Sequence, residues 1–284
     1  MTRILRIFCN FAANMEDSVI TSVQNARIKH VVALQEKSSL RRKEGLFVVE
    51  GQREIEHCIA CGYEPVELFT SQGVRNTVTP VVRTEITGRL TPCEVSPQVY
   101  EKMAYRGSTE GVIAVVKARH HDLSDLPPLA TNHPPLIIVL ESVEKPGNLG
   151  AILRTAEAAG VDAVIVCDPL TDLYNPNLIR ASIGGVFSVP TAVCDSRACI
   201  AFLKERGIQI LTAQLQDSCE YYDYDMRQAT AIVMGTESTG LTPQWREAAN
   251  AHIRIPMLGR LDSLNVSVSA AILMYEAVRQ RIKK

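Results

Sequence analysis

Short apolar runs alternate with segments of helical periodicity along the first part of the chain. The runs that predict strands occupy residues 46–51, 66–70 and 111–118. Helical patterns begin after Asn25, at residue 52 and after Ser96. This alternation predicts a small α/β unit, with helices packed on a mixed sheet, over residues 20–117. Residues 1–19 are expected to form a disordered leader.

The second part of the chain carries longer and almost uninterrupted apolar runs. Predicted strands occupy residues 136–140, 163–166, a short stretch that ends at Val189, and 208–214, and predicted helices occupy residues 149–159, 175–185 and 198–207. Strands that are apolar on both faces are typical of a parallel sheet covered by helices. We therefore predict a second α/β domain over residues 135–284, which a Pro-rich, semi-extended linker at residues 118–134 joins to the first.

Three predicted strands of this second domain lead into loops rich in Gly, Ser, Thr and Asn, and two of them are the apolar segments that begin at Ile232 and Ile253. In one loop, Gly235 and Gly240 permit a positive φ or the close approach of a ligand. In another, Pro256 ends a strand and Asn265 is placed to begin the C-terminal helix. Loops of this composition predict a ligand that is bound largely by backbone groups, and Gly235→Val should close its pocket.

The three loops carry an ordered set of residues that resembles the motifs of the SpoU/TrmH family of RNA 2′-O-ribose methyltransferases, in the SPOUT superfamily. The matching residues are Asn148, Gly150, Arg154 and Gly160 in the first motif; Gly235, Glu237 and Gly240 in the second; and Pro256, Ser263, Leu264, Asn265, Ser267 and Glu276 in the third. The preceding region resembles the substrate-binding domain of that family. The resemblance implies an α/β fold, with a SPOUT-type parallel-sheet domain that contains a deep trefoil knot, preceded by a smaller α/β RNA-binding domain that resembles a ribosomal protein.

The resemblance also implies a reaction and its partners. The expected cofactor is S-adenosylmethionine, and the expected substrate is structured RNA, with ribosomal RNA as first choice and tRNA as second. A homodimer through the C-terminal helix is expected, and Val268, Ala271, Ile272, Tyr275 and Val278 make that helix amphipathic. We expect a cytoplasmic enzyme without a metal or a membrane contact. A non-catalytic RNA-binding or ribosome-assembly protein on the same fold is the alternative.

Roles for individual residues follow from the same resemblance. The expected catalytic residues are Arg154, Asn148, Glu237 and Asn265. The expected cofactor-binding residues are Thr212, Ala213, Gly235, Ile255, Ser263 and Leu264. Proposals for the family make the arginine a general base, but a guanidinium has a pKa above about 12 and neutral arginine is scarce near neutral pH. We therefore favour stabilisation of the developing alkoxide as the role of Arg154.

Basic residues are concentrated between Ile20 and Lys43, although the whole chain has a net charge of −1. In this stretch Glu36 is the one acid, which leaves an excess of five positive charges. The basic residues are Arg27, Lys29, Lys37, Arg41, Arg42 and Lys43. Such an excess predicts a phosphate-contacting surface, with a solvated helix face as the alternative. By resemblance, Arg180 and Ser182 are expected on the RNA-facing side of the methyltransferase site.

Other classes of protein fit the sequence less well. The turn before the helix at residues 149–159 lacks the G-x-G-x-x-G pattern of dinucleotide-binding proteins, although Asp168 follows the next strand as a ribose-binding acid would. The eight cysteines show no pairing pattern and are expected to be reduced, and Cys58 and Cys61 share a helix face without a second pair to complete a zinc site. No stretch reaches about 18 uninterrupted apolar residues, so no transmembrane helix is expected.

Overall fold

The computed structural model describes residues 19–74, 90–105, 110–129, 132–236, 239–260 and 262–282. The chain divides into two compact units, an N-terminal unit (Met1–Ala118) and a C-terminal unit (Arg119–Lys284). No helix in the described ranges is long and apolar enough to cross a membrane.

The N-terminal unit contains a mixed four-stranded sheet in the order β1-β4-β2-β3. The strands are β1 (Leu46–Glu50), β2 (Pro65–Ser71), β3 (Cys93–Val95) and β4 (Val112–Lys117). β4 is antiparallel to β1 and β2, whereas β3 is parallel to β2. The helices are α1 (Ala26–Glu36), α2 (Ser38–Glu44), α3 (Gln52–Ala60) and α4 (Pro97–Met103). The predicted mixed α/β arrangement is therefore present.

Local sequence explains where these helices begin and end. The side chain of Asn25 accepts a hydrogen bond from the N–H of Arg27 at 2.9 Å, which is the predicted helix cap. The side chain of Ser96 caps α4 in the same way, through the N–H of Val99. Gly45 ends α2 in a left-handed conformation, with φ of 64°. The apolar faces of α1 and α4 then pack with the sheet in one core that contains Ile28, Val31, Phe69, Val99 and Ile113.

The C-terminal unit is built on a seven-stranded, all-parallel sheet in the order β7-β6-β5-β10-β8-β11-β9. The strands are β5 (Leu136–Glu141), β6 (Ala163–Cys167), β7 (Thr191–Cys194), β8 (Gln209–Ala213), β9 (Cys219–Glu220), β10 (Thr230–Met234) and β11 (Ala251–Arg254). The helices are α5 (Pro146–Ala159), α6 (Pro176–Ser182), α7 (Gly185–Ser188), α8 (Ser196–Glu205), α9 (Pro243–Ala248) and α10 (Val266–Arg281). β5, β6 and β10 are buried along their whole length, as their apolar runs predicted.

The region before β7 differs from its prediction. The helix expected over residues 175–185 ends at Ser182, because Ile183 and Gly184 both adopt left-handed backbone conformations. The strand expected to end at Val189 is absent, and Gly185–Ser188 forms the short helix α7 instead. A Cβ on Gly185 would lie 3.2 Å from the carbonyl oxygen of Leu153, so this turn packs closely on α5. Tertiary packing here overrides the apolar pattern.

The Pro-rich segment also differs from a semi-extended linker. Residues 119–129 belong to the C-terminal unit, where His121 contacts the carbonyl oxygen of Thr191 at 2.9 Å and the hydroxyl of Tyr174 at 2.8 Å. Leu123, Leu126 and Leu129 pack against the main core of that unit. Three leucines at a spacing of three residues supply the apolar contacts that hold this segment to the unit, and the Pro-rich composition obscures them.

Candidate functional site

The carboxyl edge of the parallel sheet brings the first and third motifs into contact. Asn148 lies in the first turn of α5, just after the exit of β5, and Asn265 is the N-cap of α10. The Nδ2 of Asn265 donates to the Oδ1 of Asn148 at 3.1 Å, across 117 positions of sequence. The Oδ1 of Asn265 accepts from the N–H and the hydroxyl of Ser267, at 3.0 and 2.6 Å. Asn265 therefore begins a helix, as predicted, and also joins two motifs.

Close packing of helices fixes the position of α5. A Cβ on Gly150 would lie 2.6 Å from the Cβ of Ala181 and 2.7 Å from the carbonyl oxygen of Leu178. Only glycine allows α5 and α6 to approach so closely. α10 packs on the same helix α5. The structure therefore explains Gly150 by helix packing, with no need for contact to a ligand.

The loop after β10 returns on itself. Thr236 and Gly240 exchange backbone hydrogen bonds of 3.3 and 3.2 Å, and Gly240 has a φ of 68°. A Cβ on Gly235 would lie 2.4 Å from the carbonyl carbon of Gly240, so this position has no room for a side chain. Glu237, predicted to be catalytic, lies outside the described residues. Gly235 is therefore required for the loop to close, a different reason from the pocket closure predicted for Gly235→Val.

A buried carboxylate connects this loop to the exit of β5. Glu141, the last residue of β5, has only 2% of its surface exposed. Its carboxylate accepts from the N–H and the hydroxyl of Thr242 at 2.9 and 2.6 Å. Burial of a charge is costly unless donors compensate it, so these bonds hold the start of α9 against β5. Sequence analysis missed this residue, although an acid at the end of an apolar run is its signal.

The same polar cluster explains Asp168. Its carboxylate accepts from the hydroxyl of Ser196 at 2.5 Å and from the N–H of Ser196 at 3.2 Å. The hydroxyl of Ser196 in turn accepts from the indole N–H of Trp245 at 3.0 Å. Asp168 thus holds the start of α8. This structural role accounts for the acid that the dinucleotide-binding alternative would assign to ribose binding.

A cavity of about 470 Å³ opens next to the segment that follows β11. Its lining residues are Leu215, Arg254, Ile255, Pro256, Met257, Gly259, Arg260 and Asp262. The volume lies within the usual range for small-molecule and cofactor sites. Because a single loop contributes most of the lining, much of the surface offered to a ligand belongs to one continuous stretch of backbone.

The predicted cofactor residues differ in their relation to this cavity. Ile255 lines it. Thr212 and Ala213 end β8, and the buried hydroxyl of Thr212 bonds to the imidazole of His252 at 2.6 Å, so its side chain is structural. Ser263 and Leu264 are exposed residues of the loop before α10. None of these placements tests cofactor contact, which stays a prediction.

One orphaned polar atom bears on the fit of S-adenosylmethionine. The Oε1 of Gln214 is buried and has no hydrogen-bond partner within the described ranges. Gln214 follows Ala213 directly and precedes Leu215, which lines the cavity. A buried acceptor without a donor is rare in proteins. An adenine amino group could supply that donor, so the residues present fit the cofactor that the resemblance implies.

The two arginines of this unit that are predicted site residues lie on α5 and α6. Arg154 is exposed on α5, and Arg180 is exposed in the last turn of α6. Ser182, in contrast, is 2% exposed, and its hydroxyl donates to the carbonyl oxygen of Ile179 at 2.8 Å. The hydroxyl of Ser182 is therefore used inside the α6 turn, and a contact of this residue with RNA stays a prediction.

Glu276, the last residue of the third motif, also has a structural role. Its buried carboxylate accepts from Arg279 at 2.7 Å and from Gln280 at 2.7 Å. The hydrogen bond from Arg279 is the main cause of the lowered pKa of Glu276. This motif position therefore supports α10 itself.

The basic run of the N-terminal unit separates into exposed and internal residues. Lys29, Arg42 and Lys43 are exposed. Arg27 pairs with Glu67 at 2.8 Å and lies over the ring of Phe69, 5.0 Å from its centroid.

Arg41 is the internal member of the run. It is 4% exposed, and its Nη1 donates to the carbonyl oxygens of Leu34 and Gln35 at 2.6 and 2.9 Å. The last carbonyls of a helix lack intrahelical partners, and Arg41 supplies donors to those of α1. The guanidinium of Arg41 is therefore used inside the unit, and its contact with RNA stays a prediction.

These features define the class of the C-terminal unit. It is an α/β domain of the type that binds a nucleotide-like ligand at the carboxyl edge of a parallel sheet. Comparison with known proteins makes the class specific. The model for the SpoU rRNA Methylase family matches residues 135–275, and the model for the MRM3-like substrate binding domain matches residues 25–114.

Relatives match both units together. A 23S rRNA (uridine(2479)-2′-O)-methyltransferase of Streptomyces viridochromogenes is 30% identical over 270 residues, which cover 93% of this chain and 92% of the relative. The structure of an rRNA methyltransferase of Sinorhizobium meliloti with bound AdoMet superposes with a TM-score of 0.84 and 28% identity, over 94% of this chain and 99% of that one. A crystal structure of an RNA 2′-O ribose methyltransferase gives a TM-score of 0.80 and 38% identity, over 93% and 99% of the two chains. The chain belongs to the SpoU family of S-adenosylmethionine-dependent RNA 2′-O-methyltransferases.

Proposed function

We propose that this chain transfers a methyl group from S-adenosylmethionine to a ribose 2′-hydroxyl of ribosomal RNA, in the cytoplasm. The observation that carries the proposal is the hydrogen bond between Asn265 and Asn148, which joins two motifs at the end of the loop whose earlier residues line the cavity. The relatives named for 23S rRNA support the choice of substrate, because they cover both units of the chain.

The residues of the chain have distinct tasks in this reaction. Bound S-adenosylmethionine supplies an electrophilic methyl group. Gly235, Ile255, Ser263 and Leu264, with Thr212 and Ala213 at the end of β8, hold the cofactor through backbone groups. Asn148 and Asn265 orient the 2′-hydroxyl by neutral hydrogen bonds, and Glu237 is the fourth residue to which we assign a catalytic role. Arg180, Lys29, Arg42 and Lys43 contact RNA phosphates, since all four are exposed cations.

Arg154 stabilises the developing negative charge on the 2′-oxygen. A guanidinium stays protonated near neutral pH, so it cannot readily accept the hydroxyl proton. A fixed cation aimed at an oxygen that becomes charged in the transition state lowers the barrier, and the hydroxyl proton is lost to water as the oxygen–methyl bond forms and the sulfur–methyl bond breaks. The exposed position of Arg154 on α5 leaves its guanidinium accessible to a nucleotide.

The test compares two exposed arginines of the same unit. Arg154→Ala should lower kcat for rRNA ribose methylation about 100-fold, the usual cost of losing one transition-state donor, while the affinity for S-adenosylmethionine is unchanged. Arg197→Ala, on the exposed surface of α8, should retain full activity. Methylated riboses are mapped in rRNA from a deletion strain before and after incubation with the enzyme.

Three outcomes would contradict the proposal. Equal activity of the Arg154→Ala and Arg197→Ala variants would remove the role of Arg154. Methylation of tRNA alone would replace the substrate. Binding of RNA without any methyl transfer would favour a non-catalytic RNA-binding protein on this fold.

We further propose a homodimer that forms through α10. Val268 and Tyr275 on this helix are apolar or aromatic side chains that are about half exposed. A second copy of the same face would cover them. Sedimentation as a monomer at micromolar concentration would contradict this assembly.

The trefoil knot and the ribosomal-protein likeness are proposals too. β11 lies between β8 and β9 near one end of the sheet, whereas the next element, α10, packs on α5 and β10. The chain therefore returns across β8 after leaving β11, a path that a knot requires. The mixed sheet of the N-terminal unit supports an RNA-binding fold. An experimental structure with an unknotted path, or with a first unit unlike any ribosomal protein, would refute the respective proposal.

A further inference from the structure

Three cysteines that are scattered in the sequence meet at one corner of the C-terminal unit. Cys167 is the last residue of β6, Cys194 is the last residue of β7, and Cys199 lies in the first turn of α8. Their sulfur atoms all lie within 4.8 Å of one another. Cys167 and Cys199 are buried, and Cys194 is partly exposed. None of the three has a task in the methyl-transfer site.

The fold holds the three thiols in register. Cys167 and Cys194 are paired residues of the parallel β6–β7 ladder. The backbone N–H of Asp168 donates to the carbonyl oxygen of Cys194 at 3.0 Å, and that of Cys199 to the carbonyl oxygen of Asp195 at 3.1 Å. Two strand ends and one helix start are thereby fixed around the sulfurs, so the cluster is built on rigid elements rather than on a loop.

The spacing suits a metal ion. A zinc–sulfur bond of about 2.3 Å places the sulfurs around one ion roughly 4 Å apart, so small side-chain rotations would bring the three onto a common centre. Thiolates are soft ligands that select Zn²⁺ or Cu⁺ over harder ions. The partly exposed Cys194 leaves one side on which an ion could enter and a water could complete the coordination.

The surroundings of the cluster also favour a bound cation. The N-terminus of α8, next to Cys199, favours negative charge. Asp168 and Asp195 directly follow Cys167 and Cys194 in the chain, and their carboxylates attract a cation. A bound cation would satisfy both sets of groups.

We propose that Cys167, Cys194 and Cys199 bind one soft, thiolate-preferring metal ion, Zn²⁺ or Cu⁺, as a structural site separate from the methyl-transfer site. The ion would tie the ends of β6 and β7 to the start of α8. Binding to the folded state alone would raise the stability of the C-terminal unit.

The test measures metal retention by the whole reduced chain under anaerobic conditions. The chain is dialysed against Zn²⁺ or, in a parallel arm, against Cu⁺ held by a competing chelator. One equivalent of metal per chain should remain bound, and the Tm of the protein should rise. Cys194→Ala and Cys199→Ala should each weaken binding more than about tenfold, the lower end of the effect of losing even an indirect metal contact. Two control variants should retain full metal binding: Cys58→Ala, at a buried thiol of α3, and Cys219→Ser, at an exposed thiol. Far-ultraviolet circular dichroism checks that each variant is folded.

Two results would overturn the proposal. If the chain retains less than one equivalent of metal in both arms, the three thiols only pack together and do not bind an ion. Equal binding by Cys194→Ala and the native chain would place the ion elsewhere.

Discussion

The two units use their predicted polar residues in different ways. In the C-terminal unit, Asn148 and Asn265 are remote in sequence and meet in space. In the N-terminal unit, the predicted residues are neighbours in sequence, yet the structure separates them: Arg41 is internal, whereas Arg42 is exposed. A set of motifs spaced over several loops is therefore better evidence of a site than a count of charges in one segment.

The physical reason lies in how each region is built. All strands of a parallel sheet point the same way, so loops that leave their carboxyl ends must share one edge, whatever their distance in sequence. Successive residues of a helix, in contrast, point in directions about 100° apart. A basic run such as Arg41, Arg42 and Lys43 therefore places its members on several faces, and tertiary contacts decide which one turns inward.

The largest expected effect concerns Gly235. Even the single methyl group of Gly235→Ala would lie 2.4 Å from a backbone carbon of Gly240, so the loop must shift to accept it. Overpacking of this kind costs about 1–3 kcal/mol, and if the loop can bind only in its present shape, affinity for S-adenosylmethionine falls by about tenfold to hundredfold. Calorimetric titration with the cofactor measures this loss.

Gly45→Ala in the N-terminal unit is the matched control. Gly45 also adopts a left-handed backbone conformation, with φ of 64°, but no atom lies within 4 Å of the position that a Cβ would take. The substitution should cost about 1 kcal/mol of stability through strain alone and leave cofactor affinity unchanged. Equal cofactor affinity of the two variants would show that the Gly235 loop is not part of the binding site.

The next effect separates a helix cap from a catalytic contact. Asn25 and Asn265 cap α1 and α10 with the same geometry, each accepting from the N–H two residues on at 2.9 and 3.0 Å. Replacement of either by Ala should cost about 1 kcal/mol of stability, measured by denaturant unfolding. Only Asn265 also contacts Asn148, so only Asn265→Ala should lower kcat, by about tenfold. A similar kcat for both variants would reduce Asn265 to a structural cap.

Many elements of both units could be predicted from sequence because their signals are local. The apolar runs of β5, β6 and β10 and the caps at Asn25 and Asn265 depend on residues next to one another. The features that were missed depend on contacts between distant segments. They include the helix α7, the docking of residues 119–129, the bonds from Thr242 to Glu141, and the cysteine cluster.

The smallest expected effect tests the division within the basic run. Arg42→Ala removes an exposed cation and should lower RNA affinity a few-fold, with the slope of log affinity against log salt reduced by about 1. Arg41→Met removes the donors to Leu34 and Gln35 and should cost about 1–3 kcal/mol of stability without a change in that slope. Filter binding at several salt concentrations, together with denaturant unfolding, distinguishes the two. If Arg41→Met changed the slope as much as Arg42→Ala, the buried guanidinium would have to leave α1 to meet RNA, and the contrast between the two units would fail at this residue.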